Sequence, residues 1–322
     1  MNMNSFEMPD GIYHIPLRLP WGTPSNVNVY LIEDHDGYVM IDCGVNGSEY
    51  LDLLNGHLNE IGIRFSDIKL LIGTHMHLDH IGLSGSLREF DIPFALYENS
   101  IEYLNEYNDW SVRFKDLIRM AKSESAPVDF IDDLKSITTP VYAGKLTRPD
   151  VLLSEGKITS LKRKINVLFT PGHDYSEISL HDEHSRIIFS GDHILPRITP
   201  FIPVQNEESN LLKGFLDSLD KVHTVDHDII APGHGNIIST PHKRIEQMKL
   251  HHQRRSDKIL EFLKKSDLTG WELTNQLFPR KLDSLNLRLA FQETLAHLHL
   301  LQSNNNVSSN FTNGIKKWSL RN

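Results

Sequence analysis

The chain has 322 residues, of which 39% are hydrophobic and 23% charged, and its formal net charge is −9. This composition is ordinary for a folded globular protein and excludes a fibrous or largely disordered chain. No segment approaches the ~18–20 consecutive apolar residues of a membrane span, and the N-terminus lacks a basic segment followed by an apolar one, so we expect a cytoplasmic protein without a membrane partner. The single cysteine, Cys43, cannot form an intramolecular disulfide, which agrees with that compartment.

Strands and helices are predicted to alternate in the first third of the chain. Short apolar runs bounded by turn residues are typical of strands. These runs are residues 11–18, 27–33, 37–42, 68–73 and 92–97. Ser48 is a good N-cap for a helix that ends at Gly62, and a shorter helix is predicted near 84–90. The run at 68–73 leads directly into a histidine-rich loop.

Residues 98–150 interrupt this alternation. Helical patterns at 101–121 and 128–136 predict an inserted helical segment, which we call the insert (98–150). Strands then resume, with a helix predicted near 207–221. The later predicted strands are 157–161, 164–170, 177–182, 186–192 and 228–233.

From residue 242 the pattern becomes helical and basic. Helices are predicted at 242–265, 268–278 and 284–301, before a hairpin-like end, which indicates a C-terminal module (243–322) after a catalytic domain (1–242). Residues 241–322 contain 14 Lys and Arg against 7 Asp and Glu, whereas residues 1–240 contain 19 against 35. This asymmetry is typical of a basic module that contacts nucleic acid or an anionic substrate, and equally of two oppositely charged solvated surfaces.

Four potential metal ligands lie within six residues, and they are His75, His77, Asp79 and His80. Side chains two residues apart on an extended segment point the same way, so His75 and His77 can address one metal. Asp79 and His80 lie further into the turn and can face a second metal. Imidazole nitrogen and carboxylate oxygen are ligands that zinc accepts, and a catalytic zinc keeps one position open for water.

Three further candidates, His173, Asp192 and His234, each follow an apolar strand and a glycine. Glycine permits the sharp turn and the close backbone approach that a crowded metal site needs. A lone histidine after a strand is more often a surface or core residue than a ligand. The fourfold repetition of strand and then ligand, anchored by HMHLDH, favours a metal site, and seven candidate ligands imply two ions.

The segments THMHLDH, TPGH, SGD and APGHG resemble, in order and approximate spacing, the motifs of the metallo-β-lactamase superfamily, and IDCG at 41–44 resembles its early IDTG turn. The resemblance covers roughly residues 11–242. It implies a mixed α/β fold, a four-layer αββα sandwich with the metals at one edge. The segment after 242 is similar to the winged-helix-like appendage of one bacterial hydrolase branch. The segment SGDHILPRITP also resembles that branch's version of the loop that carries the bridging aspartate.

The resemblance also implies a ligand assignment. The first metal would be held by His75, His77 and His173, the second by Asp79, His80 and His234, and Asp192 would bridge them. Relatives often have Thr-Pro-Gly or Ser-Pro-Gly after the third motif, where this chain has residues 174–176 as Asp-Tyr-Ser, so the adjacent substrate wall should differ. The absence of a cysteine ligand argues against lactamase activity, and histidine at position 77, where di-iron relatives have glutamate, argues against redox chemistry.

The predicted activity is that of a metal-dependent hydrolase. Two divalent ions, zinc in the first place with iron or manganese as alternatives, lower the pKa of a bridging water from ~15.7 towards ~7 and so supply hydroxide. Asp79 would be the catalytic residue that orients this hydroxide. The substrate would be a small-molecule thioester, ester or lactone, as in the glyoxalase II-like hydroxyacylglutathione hydrolases that the chain resembles. His193, Arg197 and Tyr175 flank the ligands and could move protons, bind a carboxylate or only support the site.

Two functions other than small-molecule hydrolysis are also compatible with the motifs. A phosphodiesterase or ribonuclease would use the same metals and grip nucleic acid with the basic C-terminal module. It ranks behind because residues 1–240 carry a net charge of −16 and the basic segment lacks a series of aromatic residues for stacking on bases. A non-catalytic binding protein is disfavoured by the complete ligand set. The sequence names neither the substrate nor the oligomeric state.

Overall fold

Strands that are buried on both faces build the centre of the protein, and such strands require covering layers on either side. The structure is a computed structural model that describes residues 6–321. All residues of the strands at 94–97, 178–182 and 187–191 are buried. Two sheets therefore pack face to face, with helices on the outside of each.

The first sheet has seven strands in the order in which they occur along the chain. They are β1 Phe6–Met8, β2 Ile12–Arg18, β3 Asn26–Asp34, β4 Gly37–Ile41, β5 Ile68–Ile72, β6 Phe94–Tyr97 and β7 Val151–Leu153. Neighbours from β1 to β4 are antiparallel, and those from β4 to β7 are parallel. The carboxyl ends of β4, β5 and β6 consequently lie at one edge.

The second sheet has five strands, in the order β12, β11, β10, β9, β8. They are β8 Gly156–Lys157, β9 Ile165–Phe169, β10 Ile178–Asp182, β11 Ile187–Gly191 and β12 Ile229–Pro232. Only the pair β11 and β12 is parallel. A separate hairpin near the C-terminus consists of β13 Val307–Thr312 and β14 Ile315–Leu320.

Eleven α-helices lie within residues 6–321. They are α1 Ser48–Glu60, α2 Leu78–Ile81, α3 Ser84–Leu87, α4 Leu104–Asn108, α5 Trp110–Arg113, α6 Lys115–Ser123, α7 Val128–Ser136, α8 Leu211–Thr224, α9 Pro241–Leu263, α10 Gly270–Leu277 and α11 Ser284–Ser303. None of these helices combines the length and apolarity needed to cross a membrane.

Successive residues of the central strands alternate between two cores, as the two-residue period of a strand requires. In β4, Met40 packs with α1, whereas Ile41 packs between the sheets. In β11, Ile188 packs with α8, whereas Phe189 packs between the sheets. The resulting layers are helix, sheet, sheet and helix, which confirms the predicted αββα fold.

Most predicted elements agree with the structure to within a few residues. Two predicted elements differ from it, and two observed strands were not predicted. The predicted helix at 101–121 is broken, because Asp109 adopts an extended backbone and its side chain caps α5 by accepting a hydrogen bond from Ser111 N–H. The predicted strand at 157–161 reduces to the two residues of β8. The short edge strands β1 and β7 were not predicted, since three-residue runs carry too little pattern.

The insert and the C-terminal module share one hydrophobic core. Phe114, Leu117 and Met120 of the insert pack in the same cluster as Phe291 and Trp318 of the module. The module begins without a linker, because the predicted boundary at residue 242 falls within the first turn of α9. Three helices and the β13–β14 hairpin make up this part of the chain.

Candidate metal centre

The seven predicted ligands converge at one edge of the two sheets. Their ligand atoms form three overlapping groups whose members lie within 4.8 Å of one another. The groups are His75 with His77 and His173, His75 with His80 and Asp192, and Asp79 with His80 and His234. Each comes from a loop or a short helix that follows β5, β9, β11 or β12.

Asp192 lies between the two outer groups. Its Oδ1 is 3.4 Å from His80 Nε2, and its Oδ2 is 3.6 Å from His173 Nε2 and 3.3 Å from His234 Nε2. Burial opposes ionisation, but His234 and His80 hold the pKa of Asp192 well below its usual value. An ionised carboxylate beside histidine nitrogens is a suitable metal ligand.

Hydrogen bonds on the far side of two rings determine which nitrogen faces the centre. His173 Nδ1 lies 2.7 Å from the carbonyl oxygen of Phe201, and His234 Nδ1 lies 2.6 Å from that of Asn26. A carbonyl oxygen only accepts, so each Nδ1 must carry the proton and donate it. In the neutral rings, Nε2 then has a free lone pair directed at the centre, as a metal ligand needs.

Asp42 likewise determines which nitrogen of His80 faces the centre, a role that was not predicted from the sequence. Its carboxylate accepts hydrogen bonds from His80 Nδ1 at 2.7 Å and from Thr74 N–H at 2.8 Å. Asp42 belongs to the IDCG segment, whose resemblance to a family turn was the available signal. Its neighbour Cys43 is buried and donates a hydrogen bond to the carbonyl of His80, as a packing residue would.

Unsatisfied buried atoms indicate that the centre fits metal ions. Within residues 6–321, His75 Nε2 and Asp192 Oδ1 have no hydrogen-bond partner although both are buried. His77 Nδ1 lies 2.8 Å from His173 Nε2, and His80 Nε2 lies 3.3 Å from His234 Nε2. Clustered nitrogen and oxygen lone pairs of this kind match zinc and related ions. The donor set is therefore suited to divalent metals.

Glycines allow this crowding. A Cβ atom on Gly233 would lie 2.5 Å from Asp192 Oδ1 and 2.7 Å from His80 Cε1, so no larger residue fits. Gly191 has a φ of +52°, a conformation that glycine adopts readily. Gly172 differs from the expectation, because a Cβ there would meet Phe215 of α8 rather than a ligand.

Glu177 is a second buried acid that sequence reasoning missed. Its Oε1 accepts a hydrogen bond from Asp192 N–H at 3.0 Å and lies 4.0 Å from His75 Nδ1. Burial, followed by the charge of Asp192, raises the pKa of Glu177 well above its usual value. Glu177 therefore stabilises the Asp192 loop through this hydrogen bond to the backbone of Asp192. No motif in the sequence distinguishes it from a strand residue.

A cavity of about 240 Å³ borders the centre at His77 and Asp79. Its walls are mainly apolar and aromatic, and they come from five separate parts of the chain. The insert contributes Tyr107, Trp110, Arg113 and Phe114, and α11 contributes Arg288, Leu289 and Gln292. Trp21 and Phe201 complete the aromatic lining. The insert and the module thus cover the metal edge and shape the adjacent cavity.

The three flanking residues occupy different places. The ring of Tyr175 contacts that of Tyr103 at a tilt of 39°, with centroids 4.2 Å apart, and Tyr175 lines a small neighbouring cavity with Arg113. His193 is buried against Phe215, and burial lowers its pKa to about 3, so it is a neutral core residue. Arg197 is exposed and lies on another surface.

That surface is a basic groove along α9, with a volume of about 470 Å³. Its cationic residues are Arg197, Arg244, Arg254, Arg255 and Lys258. Arg255 pairs with Glu293 of α11, and Arg244 donates hydrogen bonds to the carbonyls of Leu195 and Ile198. The groove begins at Thr199, two residues from Phe201 in the lining of the 240 Å³ cavity.

The chain is similar to known proteins over most of its length. A family model described as "Metallo-beta-lactamase superfamily" matches residues 22–234, and one described as "Metallo-beta-lactamase-like, C-terminal domain" matches residues 256–319. The chain is 27% identical to "Probable metallo-hydrolase YqjP" of Bacillus subtilis, over 92% of this chain and 94% of that one. It is 26% identical to human "Acyl-coenzyme A thioesterase MBLAC2", over 57% of this chain and 63% of that one.

Solved structures show the same fold. A metallo-beta-lactamase family protein from Thermus thermophilus superposes with a TM-score of 0.78 at 28% identity, covering 97% of this chain and 99% of that one. A beta-lactamase domain protein from Burkholderia ambifaria superposes with a TM-score of 0.84 at 23% identity, covering 98% and 94%. Both matches extend through the insert and the C-terminal helices.

Proposed function

We propose that this chain, which belongs to the metallo-β-lactamase superfamily and is a metal-dependent hydrolase, holds two divalent ions, zinc in the first place, and cleaves small-molecule thioesters. The observation that carries the proposal is the position of Asp192 between two groups of ligand atoms. In this proposal His75, His77 and His173 hold one ion. Asp79, His80 and His234 hold the other, and Asp192 contacts both.

The chemistry follows from this ligand set. When bound, two divalent ions lower the pKa of water and stabilise the negative charge that develops on a carbonyl oxygen. The Asp79 carboxylate lines the cavity, and in this proposal it orients the attacking water. Water adds to the acyl carbon, the bond from carbon to sulfur breaks, and a carboxylic acid and a thiol are released. No serine or cysteine nucleophile is needed, and Cys43 is buried away from the cavity.

The thioester class rests on two kinds of support. The cavity beside Asp79 has aromatic and aliphatic walls suited to an acyl group. The similar human protein is named for acyl-coenzyme A thioester hydrolysis. Esters and lactones react by the same addition to a carbonyl and are weaker candidates, because the relatives supply no support for them.

Phosphodiester or RNA cleavage is a second candidate, favoured by the basic groove along α9. Arg197, Arg254 and Lys258 are exposed there, and none of them forms an ion pair within residues 6–321. Such a groove would attract a phosphate backbone. It ranks second because the cavity at the metal centre is mainly apolar and narrow for a polynucleotide.

One experiment separates these functions. The full chain is purified without chelator, its metal content is measured, and coenzyme A thioesters, simple esters, lactones, a phosphodiester and short RNA are compared by kcat/KM. We expect about two transition-metal ions per chain and the highest kcat/KM on a thioester. A protein that stays metal-free when zinc is supplied, or one that cleaves only phosphodiesters, would overturn the proposal.

A further inference from the structure

Two arginines face the cavity beside the metal centre. Arg113 is the last residue of α5 in the insert, and Arg288 lies in α11 of the C-terminal module. Both are half-buried, and neither forms an ion pair with a carboxylate within residues 6–321. Glu106 and Asp174 border a small cavity with Arg113 but lie beyond ion-pair distance.

Aromatic rings contact both guanidinium groups, and Asp79 on the wall of the same cavity forms no ion pair with either of them within residues 6–321. Arg113 lies over the ring of Trp110 at 5.4 Å, and Arg288 lies over that of Phe114 at 4.9 Å. The Nε of Arg288 is buried and has no hydrogen-bond partner among the described residues. Burial, with a smaller contribution from the charge of Arg113, lowers the pKa of Arg288. Both arginines thus line one cavity, and the Nε–H of Arg288 is a donor without an acceptor among the described residues.

Two half-buried guanidinium groups without an acidic partner lower the stability of the fold unless an anion binds to them. A buried charge without a partner destabilises a fold, and two like charges add to that cost. The other half-buried arginines within residues 6–321 have acidic or carbonyl partners, as in the contacts of Arg88 with Asp150, of Arg186 with Asp226 and of Arg244 with the carbonyl of Leu195. The cavity arginines are therefore an exception at the place where a substrate would bind, and guanidinium groups match carboxylates in shape and charge.

The ring of His77 adds a donor to the same region. Its Nε2 lies 3.5 Å from Nη2 of Arg113, and its Nδ1 faces His173. If Nδ1 binds metal, as in the proposed function, a neutral ring keeps its proton on Nε2. Nε2–H and Arg113 would then both be donors that require a shared acceptor. An anionic oxygen between them supplies it.

We propose that Arg113 and Arg288 form a carboxylate subsite, so that the preferred substrate is a thioester carrying a carboxylate a few atoms from the scissile bond. This inference rests on the proposed thioester hydrolysis for its choice of substrate. The insert and the module each contribute one arginine, and the hydrophobic core that they share keeps both segments at the cavity. The carboxylate belongs to either the acyl or the thiol half, and the test separates the two.

The kinetic test compares matched substrates. In the first arm, glutaryl and valeryl thioesters of one neutral thiol differ only in a terminal carboxylate. In the second, one neutral acyl group is linked to a carboxylate-bearing or a neutral thiol. We expect the carboxylate to raise kcat/KM by at least about tenfold in one arm, the effect of one charge-assisted hydrogen bond. Equal kcat/KM within both pairs would overturn the subsite.

Variants of Arg288 test whether the preference for the carboxylate-bearing substrate depends on this arginine. R288M keeps an unbranched side chain against Phe114 but removes the charge, and the preference should collapse. R288K should keep part of it. R119M is the matched control, because Arg119 lies exposed on α6 beside Asp116, and its preference should equal that of the wild type. An R288M preference unchanged from wild type, in a protein with native circular dichroism, would refute the assignment.

A binding measurement is independent of turnover. Calorimetry compares glutarate with valerate on the metal-loaded wild type and on R288M, since both acids offer one carboxylate to the metals and only glutarate has a second. Tighter binding of glutarate that R288M abolishes supports the subsite even if no thioester is cleaved, in which case only the proposed function fails. Hydrolysis of thioesters without any preference, together with equal binding of both acids, removes the subsite and leaves the proposed function intact.

Discussion

Glu124, at the C-terminal end of α6, accepts a hydrogen bond from the indole Nε1 of Trp318 in β14 at 3.0 Å. The same carboxylate accepts a 2.6 Å hydrogen bond from Gly270 N–H at the start of α10. One buried acid of the insert thus holds two elements of the C-terminal module. It lies in the core that joins these parts, 4.0 Å from Lys316 Nζ.

The Glu124 contacts predict a pH-dependent stability. Burial raises the pKa of Glu124 from 4.5 to about 7, although Gly270 N–H, Lys316 and Trp318 favour the ionised form. The folded protein then binds more protons than the unfolded chain between about pH 4.5 and 7, so the free energy of unfolding falls as pH rises through this window. The upper limit of the loss is about 3 kcal/mol, at 1.36 kcal/mol per unit.

Urea unfolding at pH 5 and pH 7.5 measures this effect. Glu124→Gln should lose most of the difference between the two pH values, because the amide does not ionise. Lys316, Glu207 and His299 also lie near this carboxylate or near Trp318, so the comparison must be made between variants at each pH. Exposed Glu261→Gln is the control and should keep the wild-type difference. If Glu124→Gln kept the wild-type difference in unfolding free energy between the two pH values, Glu124 would not be its source.

Asp192→Ala should lose metal and activity together. Its Oδ2 lies near His173 of one ligand group and near His234 of the other, so its removal should weaken the binding of both ions by more than the 10–100-fold typical of outer-shell partners. Cys43→Ser should change neither, because the serine hydroxyl can still donate to the carbonyl of His80. Metal analysis after dialysis, with thioester turnover, checks both. The ligand assignment is wrong if Cys43→Ser strips the metal while Asp192→Ala retains it.

The sequence predicted the ligand positions better than the substrate cavity, for a physical reason. Each ligand follows a recognisable apolar strand, and the strands of a sandwich end at a common edge, so their convergence follows from the fold. Their role as ligands stays a proposal that Asp192→Ala tests. Arg113 and Arg288 carry no such signal, because their approach depends on how the insert packs against α11.

Gly233→Ala tests whether close approach at the centre is essential. The added methyl would lie 2.5 Å from Asp192 Oδ1, so either this carboxylate or the His80 ring must move. We expect at least about tenfold weaker metal binding with the fold retained, the lower end of the range for disturbed metal ligation. Gly56→Ala is the matched control, since its methyl would meet nothing within 4 Å in α1 and should stabilise the helix by about 1 kcal/mol. Equal zinc affinity for both variants would show that the crowding is unimportant.

The sequence alone predicts that a chain ending near residue 242 keeps its metals but loses substrate selectivity or turnover. The structure predicts a larger effect, because the module shares its core with the insert. Deleting residues 243–322 would expose Phe114, Leu117, Met120 and Phe130. Each large apolar side chain contributes about 1.5–3 kcal/mol when buried. Four of them together approach the ~5–15 kcal/mol net stability of a typical domain.

The shortened chain should therefore have a disordered insert or aggregate. Limited proteolysis with sedimentation analysis measures this, and cleavage should begin within residues 104–136, where α4 to α7 lie. Trp318→Ala in the full chain is a milder form of the same change, since it removes one fully buried side chain and the donor to Glu124. It should raise protease sensitivity in the same segment. A shortened chain that stays monomeric, resists protease there and hydrolyses its substrate with wild-type selectivity would show that the insert folds and functions without the module.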